Sequence, residues 1–105
     1  MLDVNVEFTK GILFVRLKGF LNSTNEYVAA DKVFNIIKDG GIRYLVFNIQ
    51  EVCIMGDVLL FKMSENLIKD NDGKMLICGS NINNVAYSYE YVENELSALK
   101  LLAAW

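Results

Sequence analysis

Gly40-Gly41-Ile42-Arg43-Tyr44-Leu45-Val46-Phe47 is the stretch whose reading decides the fold. Tyr44 to Phe47 is a continuous β-type run, apolar at successive positions. A strand apolar on both faces is typical of the middle of a sheet covered on both sides. Just before it, Gly40-Gly41 reads as a helix stop, because glycine takes the left-handed cap conformation without strain. Upstream of the glycines, Tyr27, Ala30, Val33, Phe34 and Ile37 recur at helical spacing. A helix followed by a strand across a two-glycine connection reads as the second half of a βαβ crossover.

Working outward toward the N-terminus, Ser23-Thr24-Asn25-Glu26 has capping-box spacing at the start of that helix. Before it, Ile12 to Leu17 is an apolar strand, and Gly19 follows it. Leu2, Val4, Val6 and Phe8 alternate strictly with Asp3, Asn5 and Glu7, the pattern of a half-buried, antiparallel edge strand. Thr9-Lys10-Gly11 is the turn, so the first two strands form a hairpin.

In the other direction, Val52 to Gly56 reads as a loop. Val58 to Lys69 reads as a second helix, with Leu60, Met63 and Leu67 on one face. Asp70-Asn71-Asp72-Gly73 stops it. That stretch lacks the remaining ligands and the closing glutamate of a calcium loop. Met75 to Cys78 is a short buried strand. Ser80 to Asn84 is turn-like, and Tyr87, Tyr89 and Tyr91 give a strand with a tyrosine face. Asn94 caps a final helix with Leu96, Leu99, Leu102 and Ala103 inward. The order β β α β α β, then β α, gives a mixed α/β sheet with helices, and residues 1–105 form a single domain.

The composition narrows the function. Apolar residues make up 53% of the 105, slightly high for a monomer, which favours self-association or a protein-binding face. Net charge is −3, the pI is about 4.8, and ten scattered Lys and Arg residues offer no basic stripe for nucleic acid. No apolar run approaches the roughly 18 residues of a membrane span, and Met1-Leu2-Asp3 does not begin a signal peptide. The chain is expected in the cytoplasm. There is no histidine, so the usual general base, the commonest metal ligand and every Ser-His or Cys-His pair are missing. Cys53 and Cys78 read as reduced, partly buried cysteines outside any metal spacing. No catalytic residue, metal site or cofactor is therefore assigned, and the chain is not read as an enzyme.

Three local patterns resemble the STAS domain of anti-sigma-factor antagonists. Val15-Arg16-Leu17-Lys18-Gly19-Phe20-Leu21-Asn22 is similar to that family's strand, glycine and acidic residue before the first helix. Tyr44-Leu45-Val46-Phe47-Asn48-Ile49 is similar to its central strand ending in aspartate. Val52-Cys53-Ile54-Met55-Gly56-Asp57 matches the loop that leads into its second helix. The resemblance implies a STAS-like mixed sheet of four to five strands, with an N-terminal β-hairpin and helices packed on it. It also implies a regulatory domain that binds a protein partner, an anti-sigma factor that doubles as a serine kinase, with control through a phosphoserine in that loop.

The loop departs from the family pattern. Gly56 stands where aspartate is expected, Asp57 where the phosphoserine is expected, and Leu59 where glycine is expected; Asn22 and Asn48 also replace aspartates. Asp57 is thus the phosphosite equivalent without a hydroxyl. It reads either as a fixed negative charge imitating the phosphorylated state or as an N-cap of the second helix, and one carboxylate can do both. Ser23 and Ser64 are the other hydroxyls considered for a phosphate. Met55, Gly56, Asp57, Val58 and Phe61 are the candidate partner-binding residues, with core packing as the competing reading for Val58 and Phe61. The family's helix between its fourth and fifth strands has too few residues here: either it is lost, or Tyr87 to Tyr91 is partly helical. The leading function is a protein-binding regulatory domain without the usual serine switch. The alternatives are a STAS-type scaffold or self-assembling subunit, including a homodimer, and then a small-ligand-binding domain.

Overall fold

Lys10 and Gly11 sit at φ 54° and 78° between paired Thr9 and Ile12. Two consecutive left-handed residues form the turn whose twist matches a two-stranded hairpin. The hairpin joins β1 (Leu2–Thr9) to β2 (Ile12–Leu21), antiparallel along the whole of β1. The structure is a computed structural model, and it describes residues 2–79 and 89–104. After β2 come α1 (Tyr27–Gly40), β3 (Tyr44–Ile54), α2 (Leu60–Asp70), β4 (Lys74–Cys78), β5 (Glu90–Val92) and α3 (Glu95–Ala103). The sheet runs β1-β2-β3-β4-β5, and every pair after the hairpin is parallel.

The alternation of each strand divides its side chains between two cores. Leu13, Val15, Leu45, Phe47, Ile49 and Ile77 face α1 and α2. Ile12, Phe14, Val46, Leu76 and Cys78 face Ala98 and Leu102 of α3. The apolar run at Tyr44 to Phe47 is therefore the central strand, covered on both sides as its composition requires. Gly41 ends α1 at φ 59°, its amide donating to the Ile37 carbonyl. At the start of β4, Gly73 is obligatory, because a Cβ there would fall within the Arg43 carbonyl.

Four sequence expectations are corrected. Val52 to Gly56 is not all loop, since β3 continues to Ile54. Arg16 pairs with Asn48 but Lys18 pairs with Glu51, so Ile49 and Gln50 together oppose Leu17. This β-bulge shifts the alternation by one, and Val52 and Ile54 resume facing the core where Phe47 and Ile49 left off. The second correction concerns α2. It starts at Leu60 rather than Val58, and it buries Leu60, Phe61, Ser64 and Ile68 while Met63 is exposed. The third is the capping box. Ser23 and Glu26 make no cap; Asn22 and Asn25 exchange side-chain-to-amide bonds instead, at 2.9 and 3.0 Å, and Tyr27 is exposed. The fourth lies in α3, where Asn94 caps as expected, accepting from the Ser97 amide at 2.9 Å, but Leu96 and Ala103 face outward.

Cys53 is exposed rather than partly buried, because its side chain lies on the outward side of β3 past the bulge, while Cys78 is buried and both thiols are free. The expected strand at Tyr87 and the question of a helix after Ser80 fall on residues 80–88, outside the described residues. β5 itself begins at Glu90.

Candidate functional site

Past the bulge, Lys18 to Leu21 of β2 runs beside Glu51 to Ile54 of β3, and both strands end together. From this end the chain turns twice into helix N-termini, through 22–26 into α1 and through 55–59 into α2. Three sets of bonds tie the turns down. Met55 donates its amide to the Leu21 carbonyl at 2.8 Å. Asn22 Oδ1 accepts from the Thr24 and Asn25 amides, and Asn25 Nδ2 donates to the Phe20 carbonyl at 2.8 Å. Glu26 Oε1 accepts the Leu59 amide at 2.8 Å. That last bond places a carboxylate from the start of α1 on an amide at the start of α2, where unpaired N–H groups and partial positive charge favour an anion.

Asp57 therefore does not cap α2. Leu59 is the residue at the cap position, and the anionic partner of its amide is Glu26. Asp57 stands exposed, two residues ahead of the cap, after Gly56 at φ 74°. Around it the same end of the sheet exposes Phe20, Tyr27, Met55 and Leu59, the last with 62% of its surface open. Cys53, the cross-strand partner of Phe20, is exposed too. The structure thus brings Met55, Gly56 and Asp57 together on the surface, with Val58 half-buried against the core. Phe61 is removed from this face: it is 1% exposed and stacks edge-on against Phe47, ring centroids 5.0 Å apart. Ser64 is fully buried, so its hydroxyl is closed to a kinase in the folded chain, whereas Ser23 is exposed.

Phe20, Tyr27 and Leu59 were not among the partner-binding residues expected from the sequence. Their signal is an apolar residue standing next to a turn, which looks the same whether its side chain points in or out.

A second cluster occupies the sheet face that α3 leaves uncovered. Arg16 makes a two-pronged contact with Glu95, Nε and Nη2 each 2.8 Å from a carboxylate oxygen, and reaches Glu7 at 2.8 Å. Asn48 Nδ2 donates to the same Glu95 at 2.7 Å, while its Oδ1 accepts the Gln50 amide at the bulge. The Arg16 guanidinium, and after it the Asn48 amide, hold the Glu95 carboxyl below its ordinary range against the opposing effect of burial. Burial, reinforced by the Glu95 charge, pushes the neighbouring Cys78 thiol up to about 12, so it carries no reactive thiolate at neutral pH. Asn48 is thus a structural pin: it fixes the bulge and the start of α3 at once. An adjoining groove of about 400 Å³ is lined by Asp3, Asn5, Arg16, Lys18, Asn48 and Glu51. Its acidic and basic side chains alternate across the strands, and Lys18 lies 3.7 Å from Glu51, so the charges largely compensate one another.

No family model matches the chain. Solved structures do match its fold. The anti-sigma factor antagonist SpoIIAA in its unphosphorylated form superposes with a TM-score of 0.81 at 15% identity, covering 98% of this chain and 100% of that one. A putative anti-sigma factor antagonist from Thermotoga maritima also gives 0.81, at 13% identity, over 95% of this chain and 94% of that one. The Bacillus cell fate determinant SpoIIAA in its phosphorylated form gives 0.71 at 14% identity, over 94% and 99%. The fold is therefore STAS-like, a five-stranded mixed sheet with three helices among the described residues. No helix among those residues is long and apolar enough to cross a membrane.

Proposed function

We propose that this chain is a protein-binding regulatory domain of the anti-sigma-antagonist kind, acting in the cytoplasm, whose docking face is the end of the sheet around Asp57. One observation carries the reading. An exposed carboxylate stands at the end of the sheet that also exposes Phe20, Met55 and Leu59, on turns tied down by hydrogen bonds. Exposed apolar side chains on anchored turns around a charge suit a partner surface, because little backbone ordering remains to be lost on binding. The likeness of the fold to antagonist structures supports the same reading. The partner class it suggests is an anti-sigma factor with serine kinase activity. Asp57 supplies negative charge where such a switch would place its phosphoserine, and it offers no hydroxyl for a serine kinase.

The test is affinity capture with the wild-type chain and with Asp57→Arg, followed by mass spectrometry of both the captured proteins and the chain. The expected result is a kinase-type partner retained by the wild type, lost by the variant at unchanged thermal stability, and no phosphate within 55–59. Identical captured proteins for both chains would sink the proposal, and so would turnover by the pure protein that vanishes in Asp57→Ala. A second reading, a self-assembling subunit, is favoured by a different observation: the long outer edge of β1.

A further inference from the structure

The sheet has two edges, and they differ greatly. β5 is three residues long, while β1 presents eight, Leu2 to Thr9, in unbroken register with β2. Protein edges are commonly blunted by proline, lysine, a bulge or shortness. None of these interrupts β1, whose charged residues are Asp3 and Glu7. The two-residue turn makes Thr9 and Ile12 the hydrogen-bonded pair that closes the hairpin. Alternation then directs the main-chain groups of Asp3, Asn5, Glu7 and Thr9 toward β2, and those of Leu2, Val4, Val6 and Phe8 outward. Four consecutive outward positions form a template for another strand.

We propose that this edge pairs antiparallel with the same strand of a second copy, about a two-fold axis at Val6. The inference rests on the self-assembling reading above and names its surface. What selects a second copy is the self-complementarity of the strand. Directly opposed residues share a face of the sheet, so a two-fold axis must fall on a residue, and charge discriminates among the possibilities. An axis at Asn5 sets Asp3 against the partner's Glu7. An axis at Glu7 sets that carboxylate against its own copy. An axis at Val4 pairs only the first half of the strand and leaves Phe8 outside. An axis at Val6 opposes Val4 to the partner's Phe8, Val6 to the partner's Val6, Asn5 to the partner's Glu7, and Asp3 to the partner's Thr9. No like charges meet, and Asn5 gains an acceptor for its amide. Roughly six main-chain hydrogen bonds close across the axis. Phe8, which continues the core-facing stripe of Leu2, Val4 and Val6, has 59% of its surface open in the single chain. It gains an apolar cross-strand neighbour in the pair.

The test uses cysteine cross-linking in a Cys53→Ser background, because Cys53 is the exposed thiol and Cys78 is buried. Val6→Cys places the two sulfurs on directly opposed residues, about 5.5 Å apart at Cα and within bridging range. Asn5→Cys tests the neighbouring register, and in the pairing proposed here its thiols lie about 8 Å apart, beyond range. Mild oxidation is expected to give covalent dimer for Val6→Cys and little for Asn5→Cys. By sedimentation the wild-type chain is expected to self-associate. Phe8→Lys, at an exposed position the fold tolerates, is expected to weaken association roughly tenfold while leaving thermal unfolding of the monomer unchanged. A wild-type chain that stays monomeric up to its solubility limit would overturn the self-assembling reading and the edge together. Association without cross-linking at Val6→Cys, or indifferent to Phe8→Lys, would overturn the edge alone. The docking face around Asp57 is untouched by either result.

Discussion

Ser64 is the clearest place at which to test the energetic reading of this fold. Its Oγ lies fully buried on the inner side of α2, between Phe61 and Ile68 in the buried stripe, without a hydrogen-bond partner among the described residues. A hydroxyl desolvated without compensation costs about 1–3 kcal/mol. Ser64→Ala removes it and leaves the Cβ in place. The loss of one oxygen opens a void far smaller than a methylene series creates, so the cavity penalty is a fraction of a kcal/mol. Alanine also favours a helix interior over serine by up to about 0.5 kcal/mol. The terms add to a net stabilisation of about 1–2 kcal/mol, or a rise in melting temperature of at least roughly 4–8 °C for a domain of this size. Urea unfolding followed by circular dichroism measures it directly, as a higher midpoint at unchanged slope. Destabilisation by more than about 1 kcal/mol would refute the argument, because it would mean that the hydroxyl is bonded in solution. The same variant bears on regulation: if Ser64 were a phosphate acceptor, Ser64→Ala would abolish labelling by a partner kinase, and a buried hydroxyl is expected to take none.

Three further outcomes follow from the hydrogen-bonded clusters. Asn48→Asp replaces the donor to Glu95 with a second carboxylate at 2.7 Å, and it is expected to cost about 1.5–3 kcal/mol at neutral pH, with part recovered in acid. A pH-independent loss by thermal melting would contradict that charge argument. Glu95 has a lowered folded-state pKa, so its stabilisation is present above the ordinary carboxylate value and lost as pH falls from there through the lower folded one. The stability gap between wild type and Glu95→Gln, about 1 kcal/mol for this partly exposed pair, should shrink as pH falls below about 5 toward the lowered folded value. A gap that widens in acid would show the opposite sign. Glu26→Ala frees the Leu59 amide, with an expected cost of about 0.5–2 kcal/mol and faster amide hydrogen exchange at Leu59. Glu26→Gln keeps an acceptor oxygen and should restore most of the protection.

The periodic parts of the molecule were legible in the residues alone. Two-residue alternation gave β1, the Lys10-Gly11 turn gave the hairpin, Gly40-Gly41 gave the end of α1, and Asn94 gave the start of α3. Each depends on neighbours within a few positions, where backbone sterics and local hydrogen bonds act. The candidate loop at Met55 to Asp57 was reached through the resemblance of Val52 to Asp57 to the loop of STAS domains. The facing of α2 was not legible, because Leu60, Phe61, Met63, Leu67 and Ile68 span an apolar arc wider than the stripe that is buried, with Met63 at one margin and Phe61 at the other. Only contact with Phe47 and the sheet selects Phe61 and Ser64 for burial and turns Met63 outward.

The same division explains the candidate site. That Asp57 carries no hydroxyl, and so cannot be a phosphoserine, is a property of the sequence itself. That Glu26 rather than Asp57 meets the start of α2 depends on two turns 33 residues apart being brought to one end of the sheet. Arg16 and Glu95 meet across 79 residues for the same reason. Chain-local chemistry sets how a segment bends and where it stops. Which long side chains meet across the fold depends on the register of parallel strands, and here the bulge at Ile49-Gln50 shifts that register for the end of the sheet that carries both turns.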